Sequence, residues 1–546
     1  MKKIIISLIT LATLATANAQ TTNISLLKDI NPSGASTGGN RNYTVYNSKM
    51  YFVANDGVTG GELWVTDGTT VGTHIVKDIN AGATGSYPDY IVVCNGKLYF
   101  NANDGIHGTE LWTSDGTSAG TQLLKDILVG YNDSYPVELT VLNNKLYFSA
   151  NDSVHAIEPW VSDGTAAGTQ LLADINQDPS YQNSDPRYFT AYNNKLYFQA
   201  NDQINADELW VTDGTTAGTY MLKDINSGSA PSSPMSFCVF NNKLYFKADL
   251  GNTFNEGELW VTDGTASGTV LVKNIYPAYN AAIDHMTVYN GSLYFTATDG
   301  VNGYELWKSD GTAVGTQLFK DINPGSGGSY CEAFTVFNNK LYFSSNDGTN
   351  GTDMWQSDGT AIGTIPFLDN NSNIVSNPAY FTVFGSRLYF RATAGNSMGD
   401  QLFSTTGTSA STQSLAPMGA NSYALLCTAQ IQTFNNSVYF NADYDTRSCE
   451  VWKLDTLAST GIKALSDNKY QVTVYPNPST NIIHIQINEN ENTSIELYNT
   501  IGQKIFAQKL QAHETELNIG DLNSGIYTAQ IIKDNQPVYQ IKLIKL

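Results

Sequence analysis

The sequence predicts an all-β chain: a large β-propeller of about nine four-stranded repeats, followed by a small Ig-like β-sandwich. Three observations predict it. The segment GELWVTDGT (residues 61–69) recurs in register. Its aromatic falls at Trp64, Trp112, Trp160, Trp210, Trp260, Trp307, Trp355, Phe403 and Trp452, at intervals of 47 to 50 residues, and all eight tryptophans of the chain sit at this register. After about residue 465 the period stops and a different strand pattern begins. A period of 40–50 residues with four short strands per copy is the signature of propeller blades.

The first segment to justify is the amino terminus. Lys2 and Lys3 precede an apolar run from Ile4, and Ala17-Asn18-Ala19 follows. A charged start, a short apolar stretch and small residues spaced A-x-A predict a signal peptide over residues 1–19, with Gln20 as the mature start. The apolar run is too short for a membrane anchor, and no transmembrane segment is expected in the mature chain.

Within each repeat the four strands follow in order. The first is a segment such as FTVF (334–337), often ended by an Asn-Asn or Asn-Gly pair that tolerates positive φ in a tight hairpin. The second is KLYFxAND, as in residues 145–152. A turn such as Asp56-Gly57 leads to the third, ELWVTD, and the loop D-G-T-x-x-G-T leads to the fourth, LLKDI. A connection of about ten residues rich in Gly, Ser, Pro and Tyr then reaches the next copy. Met50, Phe52 and Ala54 point one way while Tyr51 and Val53 point the other, so both sheet faces are covered, as in stacked blades. SLLKDI (25–30) is a fourth strand that precedes any complete repeat, and the ninth repeat ends poorly. The amino-terminal strand can therefore complete the last blade and leave no open edge. Eight blades with a degenerate unit, or two smaller rings, are the alternatives.

Residues 25–466 resemble the ELWxxDGT repeat of exported bacterial proteins, with the eighth and ninth copies departing from the pattern. That resemblance implies a propeller and names no activity. The propeller domain is assigned to residues 20–466, with a linker at 467–472.

Residues 473–546 read as a small antiparallel sandwich. Ile483, Ile485 and Ile487 share one face of an alternating strand. Tyr475, Pro476, Asn477 and Pro478, the ELYNTIGQKI block, LNSGIY (522–527) and the terminal KLIKL resemble the type A C-terminal sorting domain of the bacterial type IX secretion system. That resemblance implies the secretion machinery as a partner, passage through the outer membrane, and cell-surface attachment or release.

Composition narrows the function. A net charge of −21 opposes nucleic-acid binding, which needs basic patches. Five cysteines match no zinc spacing; Cys427 and Cys449 are the pair closest in sequence, with free buried thiols as the alternative. The six histidines share no register and lie in no catalytic motif. No catalytic residue and no enzyme activity is expected. Asp67, Asp115, Asp163, Asp213, Asp263, Asp310 and Asp358 each precede Gly-Thr, as in Asp67-Gly68-Thr69. One Asp per loop is few ligands for calcium, so these residues are expected to hold turns, with Gly68 and its equivalents supplying positive φ. No cofactor is expected, and calcium is the one metal left open. The tryptophans are expected to pack between blades, and Glu62 is left without a role.

The copies differ mainly in the connections, at residues 129–138, 177–188 and 276–284, which are rich in Tyr, Asn, Asp and Ser. On a propeller these gather on one face and suit a glycan or a surface protein. The sequence thus predicts an exported, non-catalytic binding or adhesion module. The alternative is a surface polysaccharide hydrolase with an unrecognised acidic pair.

Overall fold

A computed structural model describes residues 23–36, 43–178, 183–251, 257–279, 281–393, 400–415, 425–427, 430–445 and 448–455. Further on it describes residues 472–475, 479, 481–487, 493–499, 504–510, 514–522, 525–533 and 536–545. The signal-peptide residues 1–19, the linker at 467–471 and the motif residues Pro476, Asn477 and Pro478 lie outside this set. Tyr475 closes a strand, Val472–Tyr475. Contacts divide the chain into two compact units, Met1–Thr456 and Leu457–Leu546.

The first unit is built from nine four-stranded antiparallel repeats, numbered here by their aromatic from Trp64 to Trp452. Repeat 1 is Thr44–Tyr46, Lys49–Asn55, Gly61–Thr66 and His74–Lys77, paired in chain order. Asn-rich pairs make its kind of hairpin: Asn143 and Asn144 both adopt positive φ, as do Asn193 and Asn194. Repeat 9 takes its fourth strand from the amino terminus. Asn23–Leu26 pairs in register with Glu450–Asp455, from Asn23 opposite Asp455 to Leu26 opposite Trp452. Repeat 9 also packs on repeat 1, where Phe434, Tyr439 and Val451 share a core with Phe52 and Trp64. The ring is closed and nine-fold, which removes the eight-blade and two-ring alternatives.

The core lies between repeats. Trp112 of repeat 2 packs with Leu98 and Phe100 of its own sheet and with Leu63, Val65 and Val76 of repeat 1. The same contacts recur around the ring, and the eight tryptophans are only 5–9 % exposed. Burying one large aromatic side chain this fully contributes roughly 2–3 kcal/mol. In repeat 8 Phe403 takes the position and stacks on Phe390, ring centroids 5.7 Å apart, so the interface survives without indole.

Lysines at the ends of several fourth strands tie one repeat to the next. Lys28 donates to the Thr73 carbonyl at 2.6 Å, Lys77 to Thr121 at 2.7 Å, Lys125 to Thr169 at 2.9 Å and Lys273 to Thr316 at 2.6 Å. The ammonium groups of Lys28, Lys77 and Lys273 also lie 5.8–5.9 Å from the indole of the following repeat. In repeat 3 the lysine is replaced by Ala173, and the fourth strand shortens to Gln170–Leu171.

Repeats 7 and 8 differ from the expected separate blades: their strands join in one eight-stranded sheet through a single pairing of Asp353 with Ser376. Repeat 7 has Asp353 where the other clear copies have Glu. The shorter side chain reaches Ser376 Oγ at 2.9 Å only because the connection lies directly on the third strand.

The second unit holds two sheets. Val472–Tyr475, Ile482–Ile487 and Glu514–Asn518 form one; Lys504–Lys509, Thr493–Tyr498, Gly525–Lys533 and Gln536–Lys545 form the other. Ile483, Ile485 and Ile487 are buried with Ile495, Leu497, Ile531 and Leu543.

A chain beginning at residue 28 lacks the strand Asn23–Leu26 and leaves repeat 9 with an open edge. We expect it to unfold at clearly lower denaturant concentration than the chain beginning at residue 20, measured by circular dichroism. An unchanged midpoint would show that closure contributes nothing.

Candidate functional site

The D-G-T-x-x-G-T loops lie on one face with the tight hairpins, and each is closed on itself. Asp67 Oδ1 accepts the Thr69 N–H at 2.9 Å and its hydroxyl at 2.7 Å. Asp115, Asp163, Asp213, Asp263, Asp310 and Asp358 accept the same pair from Thr117, Thr165, Thr215, Thr265, Thr312 and Thr360. The threonine bonds hold the Asp67 carboxyl below its usual range. Glycine follows for two reasons. Gly116 has φ +90°, and an added Cβ there would lie 2.2 Å from the Tyr51 hydroxyl of the preceding repeat.

The opposite face carries the turns between second and third strands and the connections between repeats. Here Glu62 finds its place. It is fully buried, and accepts the N–H groups of Ile79 at 3.1 Å, Asn80 at 3.2 Å and Ser86 at 2.9 Å, together with the Ser86 hydroxyl. Glu110 and Glu208 likewise accept both donors of Ser134 and Ser232, Glu158 and Glu450 accept the hydroxyls of Ser184 and Ser36, Glu305 accepts the Ser329 N–H, and Glu258 accepts the Ala281 N–H. The serine carbonyl then accepts an N–H from the next repeat, as Ser134 does from Asn151 at 2.9 Å. One carboxylate therefore fixes the entry into the following repeat.

That entry is strained on purpose of the fold rather than of one copy. Two residues three apart adopt positive φ in seven connections among the described residues: Tyr87 and Tyr90, Tyr135 and Glu138, Asp185 and Tyr188, Ser233 and Ser236, Ala282 and His285, Tyr330 and Ala333, Asn377 and Tyr380. The first strand bulges at the same place, between Val137 and Thr140 in repeat 3. Left-handed backbone at non-glycine residues costs of order 1 kcal/mol and persists where the surroundings fix it. Side chains at these positions vary while the backbone repeats.

Between repeats 2, 3 and 4 they enclose a cavity of about 330 Å³ lined by Tyr90, Tyr135, Glu138, Asp185, Arg187 and Tyr188 among others. Glu138 Oε2 accepts the Tyr188 N–H at 3.1 Å and so ties two connections together. A bond to Asp133 raises the Tyr135 phenol above its ordinary range. Arg187 is the single arginine between residues 42 and 386. On the same face Val58, Ile106, Val154, Ile204 and Val301 stand 63–75 % exposed at the turn tips, an apolar rim repeated in five copies.

Of the three variable connections expected to gather on one face, 129–138 and the described part of 177–188 meet at this cavity. Residues 276–284 belong to the connection before repeat 6 and do not line it. Sequence reasoning missed the Glu–Ser contact and the strained pairs. The signal was present: Ser86-Tyr87-Pro88, Ser134-Tyr135-Pro136, Ser184-Asp185-Pro186 and Ser232-Ser233-Pro234 recur 24 or 26 residues after the glutamates. Among the described residues no group of three or more His, Cys, Asp or Glu is placed to hold a metal. Cys427 and Cys449 form a disulfide in repeat 9, while Cys94, Cys238 and Cys331 are free.

Residues 473–546 match the family described as the secretion system C-terminal sorting domain. The chain carries this sorting domain and is thereby marked for export to the cell surface or the extracellular space. It is 29 % identical over 111 residues to the ulvan lyase NLR42 of Nonlabens ulvanivorans, which is 20 % of each chain. It is 25 % identical over 114 residues to an endo-acting ulvan lyase of Formosa agariphila, 21 % of this chain and 22 % of that one. The chain thus spans about a fifth of the curated relatives it matches. Among solved structures it is similar to PorZ, a bacterial surface component of the type IX secretion system of Porphyromonas gingivalis, at 11 % identity and a TM-score of 0.27, over 94 % of this chain and 82 % of that one. No helix among the described residues is long and apolar enough to cross a membrane.

Burial pushes the Glu158 carboxyl up to about 8, and Glu110, Glu208 and Glu305 to about 7, against the serine and backbone donors that pull them down. These native values exceed the unfolded one, so the folded chain holds protons that the unfolded chain releases. The stability linked to them is complete below about pH 4.5 and is lost as pH rises through 7 to 8. We expect the unfolding midpoint to fall between pH 5 and pH 9, read by thermal melts; a flat or rising profile contradicts this. Ser184→Ala removes a donor to a fully buried carboxylate. It should cost about 1–3 kcal/mol in denaturant unfolding.

Proposed function

We propose that the protein is an exported, non-catalytic binding module that presents the connection face of its propeller to a glycan or a surface protein outside the cell. The observation that carries this reading is the cavity between repeats 2, 3 and 4, where variable Tyr, Glu, Asp and Arg side chains converge on a backbone fixed by the buried glutamates. Aromatic rings beside a few polar groups are what small-molecule and sugar sites are made of. The apolar turn tips widen the same face. The resemblance of the repeats to the ELWxxDGT family fits an exported scaffold. The sorting domain supports export by the type IX machinery, followed by attachment or release.

A second reading is kept by two observations. The partial relatives are named ulvan lyases, and Glu138 and Asp185 line one cavity. A polysaccharide-degrading enzyme built on this pair would cut its ligand rather than hold it.

Two experiments separate the readings. The purified full chain, offered a glycan array and surface-protein extracts with and without calcium, should retain ligand intact. Release of new chain ends from a bound polysaccharide would favour the enzyme. Deleting residues 473–546 should leave the protein in the periplasm, scored by fractionation and surface labelling. Continued surface display would overturn the assigned route.

A further inference from the structure

We propose that the cavity between repeats 2, 3 and 4 is a subsite for a ring of an uncharged glycan. This rests on the binding reading above and names the chemical class. Three features of the cavity point to it.

The set of side chains at the cavity is particular to this arc among the described connections. Equivalent left-handed positions further on carry Ser233 and Ser236, Ala282 and His285, then Tyr330 and Ala333. The backbone is the same there, but the pairing of two aromatics across a carboxylate is not. In repeats 2 to 4 the inner strained positions read Tyr90, Glu138, Tyr188, and the last two are joined through the Tyr188 N–H.

The polar groups are of both kinds. Among the described residues the Glu138 carboxylate uses one oxygen for that bond and its second oxygen has no hydrogen-bond partner, while its backbone carbonyl accepts the Thr140 hydroxyl at 3.0 Å. Asp185 and Arg187 line the same space, and the charge of Arg187 also acts on the half-buried Asp207 nearby. Carboxylate oxygens only accept, and a guanidinium only donates. A vicinal pair of sugar hydroxyls satisfies both, because each hydroxyl donates and accepts. The faces of the tyrosines take the C–H side of the ring.

The charge balance selects among ligands. Two carboxylates against one guanidinium leave the cavity negative, in a chain of net charge −21. An acidic sugar would be repelled by Glu138 and Asp185. A lysine side chain would be drawn by the charge but offers no ring for the tyrosine faces and no acceptor for Arg187, whereas an uncharged polyol offers both. A volume of about 330 Å³ is at the lower end of small-ligand sites and suits a single ring of a longer glycan.

The test is calorimetric titration of the full chain with three probes: neutral oligosaccharides, uronate-containing or sulfated oligosaccharides, and lysine-rich peptides. Neutral oligosaccharides are expected to bind. Tyr188→Ala, Glu138→Gln and Arg187→Met should each weaken that binding about tenfold or more. Ser236→Ala, at the equivalent strained position in repeat 5, should leave it unchanged. Arg187 is exposed, so its variant keeps the test valid if Tyr188→Ala fails to fold. Neutral binding that ignores all three cavity variants overturns the subsite. Cavity-dependent binding of acidic glycan or basic peptide alone overturns the sugar class and leaves the binding reading standing. If none of the three probes binds, the subsite falls, and the array and extract experiment decides the broader reading separately.

Discussion

The buried glutamate on the third strand of seven of the nine repeats is the constraint on which the rest of the ring depends. It has no exposure to solvent, and its oxygens are met by backbone N–H groups and a serine hydroxyl of the connection. A carboxylate removed from water is tolerated only when its lone pairs are met in this way. The serine it holds then bonds to the next repeat, so the contact works across the joint and not merely within a sheet. Hydrophobic packing between tryptophan layers supplies most of the adhesion, but it has no direction. The glutamate gives the joint its angle and register.

Because that joint is rigid, the connection can hold two left-handed residues without glycine. Strain that would be removed by selection in a loose loop is here enforced by the frame on both sides. The result is a set of equivalent pedestals whose side chains are free to differ. Tyr90, Glu138 and Tyr188 occupy three of them, and Ser236, His285 and Ala333 the next three. Variation is thereby separated from architecture: a change at a pedestal alters what the face presents without altering how the ring closes.

Much of the architecture was legible in the sequence because it repeats. The tryptophan register set the period, the Asn pairs marked the hairpins, and the early SLLKDI segment foretold the borrowed strand of repeat 9. The count of nine was also in the sequence, with Phe403 standing where the other copies have Trp, and the structure was needed only to decide against eight blades or two rings. The merging of repeats 7 and 8 rests on one missing methylene at Asp353. The site was harder to read. An acid recurring beside a buried tryptophan has the look of a solvent-facing residue, and only alternation along the strand, with Glu62, Trp64 and Thr66 on one side, betrays its burial. Cavity-forming residues come from three separate connections, and their convergence is a property of the ring's curvature that no local pattern encodes.

The placement of the indoles has a spectroscopic side. All eight lie in repeats 1–7 and 9, each wedged at a joint, and the sorting domain contains none. Emission excited selectively from tryptophan, and not from the 32 tyrosines, is therefore a collective report on the joints alone. The tail can melt, be cleaved or be lost in transit without dimming it, whereas parting of neighbouring repeats would shift it at once.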